Sequence, residues 1–148
     1  MEGAGLAGTG VLLVSGEGKA STADVFAAHD SQRSRPTGAD AATERLLAFL
    51  GGQPTPAGLV ELAPELRDAN ELYAAAARTI DGLEELRARV ESVLRRPTLL
   101  SGAGPTLFVL YPSPAEAREG LRALRAGLGR GETAGRAPRL IATAIATR

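Results

Sequence analysis

The amino-acid sequence predicts an α+β fold, with a four-stranded, mainly antiparallel sheet and helices packed on one face. Two apolar runs, 99–100 and 107–111, flank a short connection rich in glycine, as expected for two buried strands joined by a turn. The segment after them begins with Ser113-Pro-Ala-Glu116, a capping box with proline at the first helical position. Because this capped helix lies between apolar runs, we expect the hairpin to belong to a sheet with two further strands.

Those two strands are found near the ends of the chain. Val11–Val14 is an apolar run, and Leu140–Ile145 alternates well enough for a final strand. We therefore expect strands near 11–15, 97–101, 106–111 and 139–146. The order strand, helices, strand, strand, helix, strand is the split β-α-β-β-α-β plan of ferredoxin-like folds. The helical residues between the first two strands form an enlarged crossover.

Composition limits the classes of function. The 148 residues suit a single domain spanning 1–148, and 17 basic residues balance 17 acidic ones, so no net charge attracts nucleic acid or anionic lipid. The chain has no cysteine and one histidine, which excludes thiolate chemistry and histidine clusters. No apolar run reaches 18 residues and no basic segment precedes an apolar one at the start. We expect a cytoplasmic protein that binds neither nucleic acid nor membrane.

The crossover contains several helical patterns. Ser21-Thr-Ala-Asp24 is a capping-box-like start for a short helix, and Asp40 caps a second helix that Gly51-Gly52 ends. Residues 53–64 include three prolines and are predicted to be irregular. Two further helices follow, one opened by the segment 68–71 and one with an apolar stripe over 83–94, with Gly82 marking the break between them.

The connection at 101–106, with the sequence Ser-Gly-Ala-Gly-Pro-Thr, is the candidate site. Gly102 and Gly104 can adopt positive φ and let a ligand or another backbone approach closely. The hydroxyl groups of Ser101 and Thr106 flank backbone N–H groups, an arrangement that suits anionic oxygens. From the residues alone, a glycine-rich hairpin without any ligand is an equally good interpretation.

The segment 101–108 resembles the third motif of the GHMP kinases, the small-molecule kinases of the galactokinase, homoserine and mevalonate type. The closest resemblance is to the 4-diphosphocytidyl-2-C-methyl-D-erythritol kinases of the non-mevalonate isoprenoid pathway. Ala20–Phe26 resembles their V-S-T-A-E-V-F segment, and Asn70-Glu-Leu72 stands where they have Asn-Asp-Leu-Glu. The final residues, Ile145–Arg148, resemble their last strand. In the second of these segments Tyr73 replaces the family's last acidic residue.

The resemblance covers the family's C-terminal domain and implies a part in ATP- and magnesium-dependent phosphorylation of a hydroxyl group. The family's N-terminal ATP-binding domain, with its phosphate loop and phosphoryl-site residues, has no counterpart in these 148 residues. No catalytic residue or metal ligand is therefore assigned, ATP and Mg would be bound mostly by that other domain, and the chain alone is expected to be inactive.

The resemblance also implies roles for particular residues. The residues placed beside the phosphate loop and the substrate are Ser101, Gly102, Ala103, Gly104, Pro105 and Thr106. Those of a substrate-side loop are Ser21, Thr22 and Phe26, and Asn70 is a contact between domains. The expected partner is the N-terminal kinase domain, or a second copy bound through an exposed apolar surface at the Leu100–Thr106 loop edge and the helix start at Asn70.

A different class of function stays open. The alternative hypothesis is a stand-alone ferredoxin-like module that binds a small molecule or dimerises through exposed sheet, without catalysis. The DNA just upstream of Met1 discriminates between these hypotheses, because an encoded glycine- and serine-rich phosphate loop there would favour the kinase.

Overall fold

The computed structural model describes residues 4–16, 22–30, 39–128 and 138–146, and within them it contains one four-stranded sheet. The strands are β1 (Gly10–Ser15), β2 (Leu99–Leu100), β3 (Thr106–Tyr111) and β4 (Arg139–Ala144). Their order across the sheet is β2-β3-β1-β4, and every neighbouring pair is antiparallel. This is the predicted split plan, and the α+β fold class is confirmed. The predicted pairing of 97–101 with 106–111 is confirmed by Leu99 opposite Phe108 and Leu100 opposite Leu107.

Alternation along the strands gives the sheet two apolar faces. On the first face, Leu12 and Val14 of β1 are fully buried beside Leu107 and Val109 of β3. This face carries the main core, to which helices contribute residues such as Val90 and Leu124. The odd-numbered residues of β1 and the even-numbered residues of β3 point to the second face, because successive side chains in a strand alternate.

Six α-helices lie within the described residues. They are α1 (Thr22–Asp30), α2 (Ala39–Gly51), α3 (Pro56–Ala69), α4 (Tyr73–Thr79), α5 (Leu83–Leu94) and α6 (Pro114–Leu128), and a 3-10 turn covers Ala4–Leu6. The helices α5 and α6 match their predictions, and Gly82 precedes α5 with φ of 80°. Asp40 was expected to cap α2 but lies in its first turn. The helix expected to open at 68–71 begins at Tyr73, because residues 68 and 69 belong to α3.

The helix α3 corrects two predictions. Residues 53–64 were expected to be irregular, yet α3 begins at Pro56, where proline costs little because the first N–H groups of a helix have no intrahelical acceptor. Thr55 Oγ1 caps the helix by accepting the Gly58 N–H at 3.0 Å. Helices were also expected on one face only. Leu59 of α3 belongs instead to a separate cluster on the second face.

That second cluster partly covers the second face. Its buried members are Leu59, Ala63, Leu99 and Leu110, and Phe49 of α2 packs at its margin. The strands β2 and β3 present apolar residues on both faces, so one layer of helices cannot cover them. The expectation of helices on one face is therefore wrong for α2 and α3, while α1, α4, α5 and α6 contribute to the main core. None of the helices described is long and apolar enough to cross a bilayer.

Candidate functional site

The glycine loop, residues 101–106, connects β2 and β3 at one end of the sheet. The Ser101 N–H donates to the Thr106 carbonyl at 2.9 Å, and the Gly104 N–H donates to the Ser101 carbonyl at 3.0 Å. Gly102 and Gly104 have φ of 58° and 90°, so both use the backbone freedom anticipated from the sequence. The Gly104–Pro105 peptide bond is cis. The loop is therefore a tight, internally hydrogen-bonded turn.

The two glycines differ in their surroundings. A Cβ on Gly102 would meet nothing within 4 Å, so only its φ disfavours a side chain there. A Cβ on Gly104 would lie 3.0 Å from Ile80 Cδ1 and 3.1 Å from Leu100 Cδ1. The inner side of the loop is thus pressed against the end of α4, whereas Gly102 lies at the open surface.

Asn70, at the C-terminal end of α3, joins the loop to the helices of the crossover. Its Nδ2 donates to the carbonyl oxygens of Leu100, at 3.2 Å, and of Gly102, at 3.1 Å. Its Oδ1 accepts the Leu72 N–H at 2.8 Å. The sequence singled out Asn70 as a contact between domains, and the structure shows contacts from Asn70 to the glycine loop of the same domain.

The end of the sheet beside the loop is polar. Ser15 Oγ and Thr106 Oγ1 lie 2.8 Å apart across β1 and β3. Arg139 of β4 is the direct partner of Ser15 in the sheet register, so the three side chains form one row on the second face. The sequence pattern pointed to Thr106 as a site residue, but not to Ser15 or Arg139. The predicted strands end or begin at 15, 106 and 139, and these strand ends could have indicated that the three residues meet at one end of the sheet.

Two backbone N–H groups of the loop have no backbone acceptor among the described residues. Among the described residues, no backbone hydrogen bond uses the N–H of Gly102 or Ala103. Gly102 is exposed and Ala103 half-buried. Successive N–H groups around a residue with left-handed φ form a concave surface that favours anions. The loop could therefore receive an anionic oxygen such as that of a phosphate.

A buried arginine lies among the helices that pack on the first face of the sheet. Arg87 of α5 is only 4% exposed, and its guanidinium carbon lies 3.9 Å from the centroid of the Tyr73 ring. Its Nη2 is 3.9 Å from Asp68 Oδ1, too far for a direct hydrogen bond. Arg87 was not among the residues that the sequence predicted to be functional. Its spacing, four residues after Leu83 and three before Val90, places it on the apolar stripe and could have identified it.

An ion pair between Arg67 and Glu91 joins the helices α3 and α5. Glu91 of α5 accepts bidentate hydrogen bonds from Arg67 of α3, at 2.6 and 2.7 Å, and a third from the Thr98 N–H at 2.9 Å. Burial opposes ionisation of Glu91, but the hydrogen bonds from Arg67 and Thr98 outweigh it and lower the pKa of this carboxyl. The network ties α3, α5 and the entry to β2 together, and so supports Asn70 at the end of α3.

The other predicted site residues lie apart from the loop. Ser21 is outside the described residues. Thr22 begins α1 and is exposed, and Phe26 is 48% exposed on the same helix. The helix α1 packs against α4, whose C-cap residue Ile80 underlies Gly104. No described contact joins Thr22 or Phe26 to the glycine loop directly.

The predicted apolar surface is not found at the loop edge. Leu100 is buried, and the Asn70 side chain faces the loop carbonyls. The most exposed large apolar side chains of the described residues are elsewhere, at Phe26, Leu47, Leu50, Val93 and Ile141. Within the same residues, no group of three or more His, Cys, Asp or Glu side chains is arranged to hold a metal ion.

Part of the chain matches a known protein family. Residues 57–129, which include Asn70 and the whole glycine loop, match the family model described as "GHMP kinases C terminal". The fold is similar to that of homoserine kinase from Cytophaga hutchinsonii ATCC 33406, with a TM-score of 0.57 and 13% identity, covering 94% of this chain and 42% of that one.

A second solved structure, a phosphotransferase related to the CoA biosynthesis pathway, has a TM-score of 0.52 and 18% identity, covering 95% of this chain and 38% of that one. No curated protein sequence matches the chain. The chain thus spans about two fifths of the length of these solved structures. Because their identity to this chain is below 20%, these structures show only a shared fold. The similarity in sequence rests on the family model. Residues 57–129, just under half of the 148-residue chain, are therefore similar to the C-terminal domain of the GHMP kinases.

Proposed function

We propose that this chain is the substrate-side part of a small-molecule kinase that transfers a phosphoryl group from ATP to a hydroxyl group. The observation that carries the proposal is the glycine loop, with positive φ at Gly102 and Gly104, inside the segment that matches the GHMP kinase C-terminal domain. Phosphoryl transfer needs positioned donors near the phosphate oxygens and little covalent chemistry from the protein. A hydrogen-bonded loop, in which the N–H groups of Gly102 and Ala103 make no backbone hydrogen bond to the described residues, is suited to that task.

The end of the sheet that holds the glycine loop offers only a few groups that could bind the phosphates of ATP. The N–H groups of Gly102 and Ala103 suit an anionic oxygen, and the row of Arg139, Ser15 and Thr106 adds a cation and two hydroxyl groups at the same end of the sheet. The described residues form no group of His, Cys, Asp or Glu side chains that could hold a metal ion, so we propose that ATP and Mg²⁺ are held mostly by an N-terminal ATP-binding domain, the partner of the single domain 1–148. ATP supplies the transferred phosphoryl group, and this domain orients the acceptor.

For the substrate, we propose a 4-diphosphocytidyl erythritol alcohol of isoprenoid precursor synthesis. The support for this choice is the resemblance of Ala20–Phe26 and of Asn70-Glu-Leu72 to the corresponding segments of that kinase group. An assay that compares this alcohol with homoserine separates the two substrate classes.

The test starts with the chain alone. The purified protein, mixed with ATP, magnesium and 4-diphosphocytidyl-2-C-methyl-D-erythritol, is expected to give no turnover above a blank, because electrostatic stabilisation of the transferred group comes from the other domain. The chain joined to an N-terminal ATP-binding domain of the family, if one is encoded upstream of Met1, is expected to phosphorylate the alcohol. Turnover by the chain alone, free of host kinase, would contradict the assignment to the substrate side.

The joined protein also tests the loop. Gly104→Val is expected to reduce activity further than its melting temperature explains, and further than Gly104→Ala does. If activity follows the folded fraction in both variants, the loop has no function beyond the hairpin.

The second candidate function is a stand-alone module that binds a small molecule or dimerises through exposed sheet. One observation favours it: β4 is an edge strand, and its Ile141 is 45% exposed on the second face. An unpaired edge with an apolar side chain can pair with a second copy.

A further inference from the structure

We infer that Asn70 is the positioning residue of the glycine loop, and that it sets the direction of the Ala103 N–H. The contact runs from the end of α3 to a loop about thirty residues further along the chain. Both donor positions of the Asn70 amide are used on the loop, and its oxygen is used on Leu72. This role goes beyond a contact between domains, since all three bonds are made within this domain.

Peptide planarity transmits the effect. In a trans peptide unit the C=O of one residue and the N–H of the next point in opposite directions from the same plane. Asn70 Nδ2 binds the Gly102 carbonyl at 3.1 Å and so fixes the plane that contains the Ala103 N–H. The N–H is thereby directed away from Asn70. The bond to the Leu100 carbonyl fixes in the same way the plane of the Ser101 N–H, which closes the turn on Thr106.

The orientation of the amide is itself determined. The Leu72 N–H needs an acceptor, and the two loop carbonyls need donors, so only one of the two amide orientations satisfies all three groups. Aspartate at this position has the same shape but lacks both donors, and its negative charge would face two carbonyl oxygens. Alanine removes all three bonds. We call the three hydrogen bonds of Asn70 the clamp. Asn70→Ala therefore tests loss of the clamp, and Asn70→Asp adds repulsion between the carboxylate and the loop carbonyls.

The positioning matters for catalysis only if the proposed kinase function holds, so the main test uses the chain without ligand. Amide exchange and ¹⁵N relaxation are measured on the native chain, on Asn70→Ala and on Asn70→Asp. In Asn70→Ala we expect the Gly104 amide, which donates inside the loop, to exchange about tenfold faster, because loss of the clamp lowers the free energy of local opening. The Ala103 amide resonance is expected to shift and its order parameter to fall.

The matched control is Thr55→Ala, which removes the capping hydrogen bond of α3 without touching the loop. It is expected to lower the melting temperature while leaving the loop resonances unchanged. In Asn70→Asp, acidification is expected to restore part of the loop order, because a protonated carboxyl regains one donor. The native chain and Asn70→Ala, measured over the same pH range, control for effects of pH that do not come from position 70.

The outcomes are distinct. Unchanged exchange and relaxation of the loop in Asn70→Ala would overturn the inference, as would an equal effect of Thr55→Ala. A titration of the native chain with sodium pyrophosphate is the separate arm for function. A shift of the Ala103 resonance that Asn70→Ala abolishes would support both proposals. Absence of any shift would count against the anion-binding role of the loop while leaving the positioning result intact.

Discussion

Gly104 and Gly102 provide a controlled comparison at the scale of single residues. Both have positive φ, but only Gly104 is in close contact with Ile80 and Leu100. Gly102→Ala is expected to cost about 1–2 kcal/mol from the left-handed backbone alone. Gly104→Ala is expected to cost more, because Ile80 and Leu100 must also move. Urea unfolding of both variants measures the difference, and equal losses would show that the contact at Gly104 relaxes freely.

Glu91 determines a pH dependence of stability. Its pKa in the folded protein lies below the ordinary value of 4.5, because its hydrogen bonds to Arg67 and Thr98 outweigh the effect of burial. The unfolded state therefore binds the proton more tightly, and the stabilisation is present above pH 4.5 and is lost as the pH falls through the folded pKa. The free energy of unfolding of the native chain is expected to decrease below this pH.

Two variants identify the source of that decrease. Glu91→Gln is expected to lose about 2 kcal/mol at neutral pH, because hydrogen bonds to a charged group are broken, and to show a shallower decrease in acid. Glu65→Gln is the control, since its ion pair with Arg45 is exposed and contributes about 0–1 kcal/mol. The measurement is urea unfolding between pH 3 and pH 7, a range set by the ordinary carboxyl pKa of about 4. Identical pH curves for Glu91→Gln and the native chain would contradict the assignment.

At the scale of elements, α3 is the helix that the sequence did not predict and that the second core cluster requires. Leu59 and Ala63 lie one turn apart and pack with Leu99 and Leu110 of the sheet. Leu59→Ala is expected to cost about 2–3 kcal/mol, from lost burial and the cavity left behind. Leu47→Ala on α2 is the matched control, since Leu47 is 64% exposed, and is expected to change stability by less than about 0.5 kcal/mol. A loss of similar size in both variants would contradict the role of α3 in covering the sheet.

At the scale of the whole molecule, the sheet is unequally covered. The first face carries the main core, whereas on the second face Ile141 of the edge strand β4 is 45% exposed. If self-association uses this edge, Ile141→Lys is expected to shift the protein toward monomer, because edge lysines oppose strand pairing. Sedimentation of the native chain and the variant at several concentrations measures this. Identical behaviour of the two would count against pairing through β4.

The sequence by itself determined the features that depend on neighbouring residues. The strands near 11–15, 106–111 and 139–146, the capped helix from Pro114 and the positive φ of Gly102 and Gly104 all follow from local periodicity, capping and backbone freedom. Tertiary structure decided the features that join distant residues. Residues 56–69 form a helix despite their prolines, because this helix buries apolar side chains of the second sheet face. Tertiary structure also brought Asn70 to the Leu100 and Gly102 carbonyls, since a side-chain partner thirty residues away leaves no periodic signal in the sequence.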